Sequence, residues 1–134
     1  DVTFLKKHIN IPVYCAGKMA DPEVCNDEIA KGNIDGVALA RILLADPEWA
    51  NKAQANIKDE IKPCIGCHIG CLGRLFQGKR MGCAVNPECG SEICYHYEKS
   101  DIQKHIVIVG GGIAGMEAAL DATKKGLFMK QVIN

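Results

Sequence analysis

The chain has 134 residues, with sixteen basic side chains against sixteen acidic ones and no long block of either sign. That balance leaves no electrostatic footprint for nucleic acid or an anionic membrane, and an enzyme of small molecules fits better. No apolar run approaches the roughly eighteen residues of a membrane span, and the first residues lack a charged-then-apolar leader pattern, so a reducing cytoplasm is the expected compartment for the eight cysteines.

In chain order the sequence reads as three dissimilar pieces, 1–62, 63–98 and 99–134. The first opens on an apolar run, Ile11-Pro12-Val13-Tyr14-Cys15, suited to a buried strand, followed by a helix from Pro22 to about Lys31 that stops at Gly32. A second apolar run, Gly36-Val37-Ala38-Leu39-Ala40, precedes a helix expected to begin at Pro47. Ala-Asp-Pro-Glu stands at both 20–23 and 45–48, where Asp offers an N-cap acceptor and Pro a pre-set helical φ. Two strand–helix units with continuous apolar strands imply parallel β structure covered on both faces, as in a (β/α) barrel or a doubly wound sheet.

The second piece carries Cys64, Cys67, Cys71 and Cys83 in the order C-x2-C-x3-C-x11-C, interleaved with Gly66, Gly70 and Gly73. Thiolates so close in sequence converge on one small inorganic cube only if the backbone turns tightly, and residues without Cβ allow that. The pattern marks an electron carrier. Zinc is the main rival, although a zinc ribbon pairs two C-x2-C knuckles and only one is present; disulfides would close very small, strained loops. Cys15 and Cys25 read as small buried hydrophobes, Cys89 and Cys94 have no spacing that demands a ligand role, and His68 reads as a solvent-facing loop residue. Little regular structure is expected here, because metal would supply the cross-links of a core.

The third piece runs from His105-Ile106-Val107-Ile108-Val109 through Gly110-Gly111-Gly112-Ile113-Ala114-Gly115 to a helical stretch, Met116 to Lys125, stopped by Gly126. Strand, G-x-G-x-x-G turn and helix form the opening of a dinucleotide-binding fold: Gly110 for the turn, Gly112 for approach of a pyrophosphate, Gly115 for helix–strand packing. The acid expected about twenty residues on, which would hold a ribose, is missing.

Taken together, Pro12 to Gly17, Gly36 to Arg41 with Leu44-Ala45-Asp46-Pro47, Pro63-Cys64-Ile65-Gly66-Cys67 with Gly70-Cys71, Cys83 with Asn86-Pro87, and Gly110 to Ala119 resemble one family. It is the Old Yellow Enzyme-like NADH:flavin oxidoreductases with a 4Fe-4S cluster, of the 2,4-dienoyl-CoA reductase, 2-enoate reductase and trimethylamine dehydrogenase type. The likeness spans about Ile9 to Gly126, and its order is more specific than any one motif.

The resemblance implies an α/β chain composed of the last two βα units of an FMN-binding TIM (β/α)8 barrel, a cluster loop, and the first βα unit of a Rossmann-like FAD/NAD(P)-binding domain. Gly17, Lys18, Ala40 and Arg41 would hold the FMN phosphate, in the loops where such barrels bind phosphate. Cys64, Cys67, Cys71 and Cys83 would hold the cluster, and Gly110, Gly111, Gly112 and Gly115 the second nucleotide. The family scheme passes electrons from NAD(P)H through FAD and the cluster to FMN and on to a C=C bond conjugated to a carbonyl. The x3 gap between Cys67 and Cys71 leans toward an unsaturated acid or acyl-CoA as substrate. Proton-donating residues of such enzymes lie on earlier barrel strands, so no catalytic residue is assigned.

Two departures from the family pattern stand out. Leu127-Phe128-Met129-Lys130 does not read like the second strand of an FAD domain ending in an acid, and the chain begins with Asp rather than Met. Both suggest a fragment, inactive alone, whose partner is the rest of its parent chain. A cluster-only electron-transfer protein and a zinc-held interaction module remain open alternatives.

Overall fold

A computed structural model describes residues 2–94 and 98–133; Asp1, Asn134 and residues 95–97 of the expected cluster segment lie outside the described residues. The chain forms two compact units, Asp1–Ser91 and Glu92–Asn134. Both are α/β.

The first unit is built on two short parallel strands, β1 (Tyr14–Ala16) and β2 (Gly36–Ala38), in the register Tyr14↔Gly36, Cys15↔Val37 and Ala16↔Ala38. The expected strand from Ile11 begins three residues late. Pro12 has no N–H to give a ladder, and the Val13 amide donates to the Asp35 carboxylate at 2.6 Å while Asp35 N–H returns a bond to the Val13 carbonyl at 2.8 Å. Lys6, at the end of α1 (Val2–Lys6), closes an ion pair on the same carboxylate.

Helix α2 (Pro22–Ala30) links the strands. Asp21 caps it, accepting from the Glu23 amide at 2.9 Å, and Pro22 stands in the first turn as the sequence requires. The second Ala-Asp-Pro-Glu copy makes the same turn, with the Glu48 amide donating to Asp46 Oδ1 at 3.0 Å. Its helix nevertheless starts later than expected: α4 spans Trp49–Gln54, and an additional helix, α3 (Arg41–Ala45), precedes it.

Cys25, Ile42 and Trp49 form the core of this unit, with Val37, Leu39 and Cys64 packed against it. Trp49 Nε1 donates to the Ala20 carbonyl at 2.7 Å, so its one polar atom is satisfied within the core. Loss of that side chain would remove about 3–5 kcal/mol of packing.

Asp46 is the buried polar hub, 2 % exposed. Besides the Glu48 amide it accepts from Lys52 Nζ at 2.7 Å and from the Lys62 amide at 2.8 Å, and Lys52 also donates to the Glu60 carbonyl of the 3-10 turn Lys58–Glu60 at 2.9 Å. The entry to the cysteine loop is thereby fixed to the end of α3.

The second unit is a βαβ motif: β3 (His105–Val109), α6 (Ile113–Lys124) and β4 (Phe128–Val132), the strands parallel with His105↔Phe128 and Val109↔Val132 paired. Helix α5 (Leu72–Leu75) belongs to the cysteine loop of the first unit. The segment after Gly126 therefore does form a second strand, against the sequence expectation; parallel pairing with β3 outweighs its weak apolar pattern, although it ends without an acid. Ile108 is buried, while Val107 and Val109 on the other face are 64 % and 83 % exposed.

Burial pushes the Asp46 carboxyl upward, but the bonds from Lys52 and the Lys62 amide outweigh it and hold the group below the ordinary carboxylate range. Its contribution is present above an unfolded value of about 3.9 and is lost as pH falls through the lower folded value. Asp46→Ala is expected to cost about 3–5 kcal/mol at pH 7, because it strands a partly buried ammonium. Asp46→Asn is expected to flatten the acid limb of stability. Chemical denaturation from pH 7 to pH 3, followed by Trp49 fluorescence, checks both.

Candidate functional site

Parallel register brings the C-terminal ends of β1 and β2 side by side, and the chain leaves each end abruptly. After β1, Gly17 takes φ +101° and Lys18 φ +54°. After β2, two residues lead into α3, which begins on Arg41. These turns meet around a cleft of about 810 Å³ lined by Gly17, Lys18, Ala40 and Arg41, and so all four residues expected to hold a phosphate face one space.

The cysteine loop supplies another wall through Cys64, Gly66 and His68. Arg41 Nη1 lies 2.5 Å from His68 Nε2 and 3.4 Å from Nδ1. Among the described residues, neither Lys18 nor Arg41 has a carboxylate partner. The cleft thus carries two uncompensated cations, which suits a doubly charged anion.

The loop itself is wound by local backbone constraints. Gly66 and His68 both take positive φ, +67° and +61°, and the Gly73 amide donates back to the His68 carbonyl at 2.8 Å. Helix α5 starts directly after Cys71. The Gly82 amide donates to the Gly70 carbonyl at 2.8 Å, drawing the Cys83 segment of the loop against the Cys71 segment. A Cβ on Gly70 would stand 2.7 Å from the Gly82 carbonyl oxygen and 3.1 Å from Cys83 Cα, so only glycine permits this approach.

The loop exit is anchored as firmly as its entry. Asn86 is 4 % exposed; its Nδ2 donates to the Leu44 carbonyl of α3 at 2.9 Å and its Oδ1 accepts from the Glu88 amide at 3.1 Å. The Arg80 guanidinium bonds the Gly90 carbonyl and the Ser91 hydroxyl.

Cys64, Cys67, Cys71 and Cys83 are free thiols, each partly buried. Among the described residues, no three His, Cys, Asp or Glu side chains are drawn together tightly enough to grip a metal ion.

In the second unit Gly110 turns at φ +117°, and its amide donates to the Val132 carbonyl at 2.9 Å. Gly112 caps α6 with extended backbone and has open space where a Cβ would stand. A Cβ on Gly115 would lie 2.3 Å from the Gly110 carbonyl oxygen, so the glycine is what lets helix and turn touch. Gln131 Nε2 donates to that same carbonyl at 2.9 Å, and Ile133 packs over Gly111. From sequence Asp46 read as an N-cap acceptor and Asn86 as part of the family likeness; their role as anchors of the cysteine loop carried no local signal beyond the Asx turns that Asp-Pro-Glu and Asn-Pro-Glu encode.

The sequence model of the NADH:flavin oxidoreductase / NADH oxidase family matches residues 1–60. Residues 1–60 belong to this family. It is 47 % identical over 124 residues to an NADH oxidase of Thermoanaerobacter brockii, covering 91 % of this chain and 19 % of that protein. A cinnamate reductase of Clostridium sporogenes is 47 % identical over 122 residues, covering 91 % of this chain and 18 % of that protein. Among solved structures, 6-hydroxypseudooxynicotine amine oxidase of Pseudomonas geniculata N1 superposes with a TM-score of 0.86 at 33 % identity, over 98 % of this chain and 20 % of that one. The complex of 2-naphthoyl-CoA reductase with 2-naphthoyl-CoA gives 0.86 at 31 % identity, over 95 % and 20 %. The chain spans about a fifth of the length of these relatives. No helix among the described residues is long and apolar enough to cross a membrane.

Gly70→Ala is expected to push the Cys83 segment off the Cys71 segment and, if the four cysteines hold the expected cluster, to lower retained iron about tenfold or more, measured as iron per chain after desalting. Gly115→Ala is expected to destabilise the βαβ unit by about 1–3 kcal/mol through overpacking, read as faster amide exchange in β3 and α6.

Proposed function

We propose that this chain is the electron-entry and phosphate-gripping part of a flavin- and iron-sulfur-dependent NAD(P)H oxidoreductase that reduces an activated C=C bond. In this reading residues 1–62 are the last two βα units of an FMN-binding TIM barrel, 63–98 the 4Fe-4S segment, and 99–134 the start of an FAD/NAD(P)-binding Rossmann-like domain.

The observation that carries it is the single cleft in which Lys18 and Arg41, unpaired by any carboxylate among the described residues, face the backbone of Gly17 and Ala40 beside Cys64. A phosphate monoester fits that set: two cations for its charge, and a glycine amide free of Cβ for close approach. Cys64, Cys67, Cys71 and Cys83 fit the thiolate donor set of a 4Fe-4S cluster, because all four are free and the Gly70–Gly82 contact draws two ligand segments together. In the second unit Gly110, Gly111, Gly112 and Gly115 would admit the pyrophosphate of FAD or NAD(P)H, with the amides of α6 facing it. Bound together, flavins and cluster would supply the conversion of a two-electron donor into single-electron steps. The residues of this chain bind, orient and space those groups.

Reduction of an unsaturated acid or acyl-CoA is favoured over amine oxidation by the x3 spacing of Cys67 and Cys71 and by 47 % identity to cinnamate reductase, against 33 % to the amine oxidase. The full-length protein, purified without oxygen, is expected to oxidise NADH or NADPH in the presence of cinnamate-type acids or enoyl-CoA esters. Arg41→Ala is expected to weaken FMN binding by about 1.5–3 kcal/mol, the worth of a hydrogen bond to a charged group. Amine-dependent flavin reduction with no alkene reduction would instead favour the oxidase reading. FMN affinity unchanged by Arg41→Ala would sink the phosphate assignment.

A further inference from the structure

His68 has no place in the cluster or phosphate assignments, yet among the described residues it is the side chain that Arg41 bonds. Its backbone is left-handed at φ +61°, a region L-residues avoid. Among the described residues only Lys18, Asn56 and His68 are non-glycine residues with positive φ, and two of those three line the same cleft. The turn at His68 carries its imidazole out of the track of the flanking cysteines and against the Arg41 guanidinium, 2.5 Å from Nε2 to Nη1.

The chemistry of that contact is specific. An arginine steadied by a carboxylate has its charge largely spent, and is a poor ligand for an anion. A neutral imidazole nitrogen accepts one guanidinium N–H and leaves the full positive charge for a second partner. Arg41 is steadied this way through Nη1 and lines the cleft. Resting on the reading of this cleft as the FMN phosphate site, we infer that His68 is a positioning residue for flavin binding: from inside the cysteine loop it aims Arg41 at the phosphate, so that the loop takes part in holding FMN as well as the cluster.

The test is direct binding of FMN and of riboflavin, which lacks the phosphate, to flavin-depleted full-length protein that retains its iron. The variants are His68→Ala, His68→Gln, Arg41→Ala and the double variant His68→Ala/Arg41→Ala. His68→Ala is expected to raise the FMN Kd about tenfold, the lower end of the loss seen when a group behind a ligand is removed, and to leave riboflavin binding and iron content unchanged. His68→Gln, which keeps an acceptor near the Nε2 position, is expected to recover most of the affinity. The double variant is expected to bind FMN no more weakly than Arg41→Ala, since the two residues act as one unit. Equal weakening toward FMN and riboflavin, loss of iron in His68→Ala, or additive effects in the double variant would each overturn the inference. Unchanged FMN affinity in His68→Ala alone, with Arg41→Ala impaired, would overturn it and leave the phosphate site standing; a wild-type protein that does not bind FMN would overturn both.

Discussion

Everything in the first unit hangs from the C-terminal end of one short helix. Asp46, buried just beyond α3, accepts the amide of Lys62, and Asn86 donates to the carbonyl of Leu44 within α3. The first bond fixes the chain two residues before Cys64, and the second fixes it three residues after Cys83. A cysteine loop of some twenty residues with almost no apolar core is thereby tied at both mouths to the helix that begins with Arg41. Ordering such a loop costs about 1–2 kcal/mol per residue in backbone freedom, and two buried polar anchors cannot offset all of it. The remaining cross-linking is what four thiolate–iron bonds would contribute.

The two units use one physical device twice. In each, a parallel strand runs into a glycine of strongly positive φ, Gly17 at +101° and Gly110 at +117°. In each, nothing stands within 4 Å of where a Cβ would project from that glycine. Open α/β sheets bind ligands at the carboxyl ends of parallel strands for this reason: the turns there expose amides, and the neighbouring strand ends bring complementary side chains. The first unit adds Lys18 and Arg41 and suits a monophosphate. In the proposed reading the second, with no cation at the turn among the described residues, would rely on glycine and helix amides; Gln131 bonds the Gly110 carbonyl.

Much of this was legible from the residues, and the rest fails for identifiable reasons. The glycine spacing at 110–115 fixed turn, strand and helix because sterics leave few alternatives; a Cβ at Gly115 has no room. The strand at Tyr14–Ala16 came out shorter than its apolar run, because Pro12 lacks a donor and Val13 bonds to the Asp35 side chain, a contact made across 22 residues. The helix start at Pro47 was misplaced since Asp46 serves burial and the Lys62 amide as well as its own turn. Tertiary pairing with β3 made a strand of Phe128–Val132 that local pattern did not suggest. His68 read as a solvent-facing loop residue; it is exposed, but its φ and its contact with Arg41 are properties of three-dimensional closure with no local sequence signal.

The central claim is that these four cysteines hold an iron-sulfur cube beside a flavin phosphate cleft. The most direct measurement is the iron, acid-labile sulfide and FMN content of the anaerobically purified full-length protein, with low-temperature paramagnetic resonance after reduction. The account predicts roughly four iron and four sulfide per chain with bound FMN, a reduced-cluster signal, and loss of that signal in Cys83→Ser. A colourless protein with stoichiometric zinc and no sulfide would contradict it.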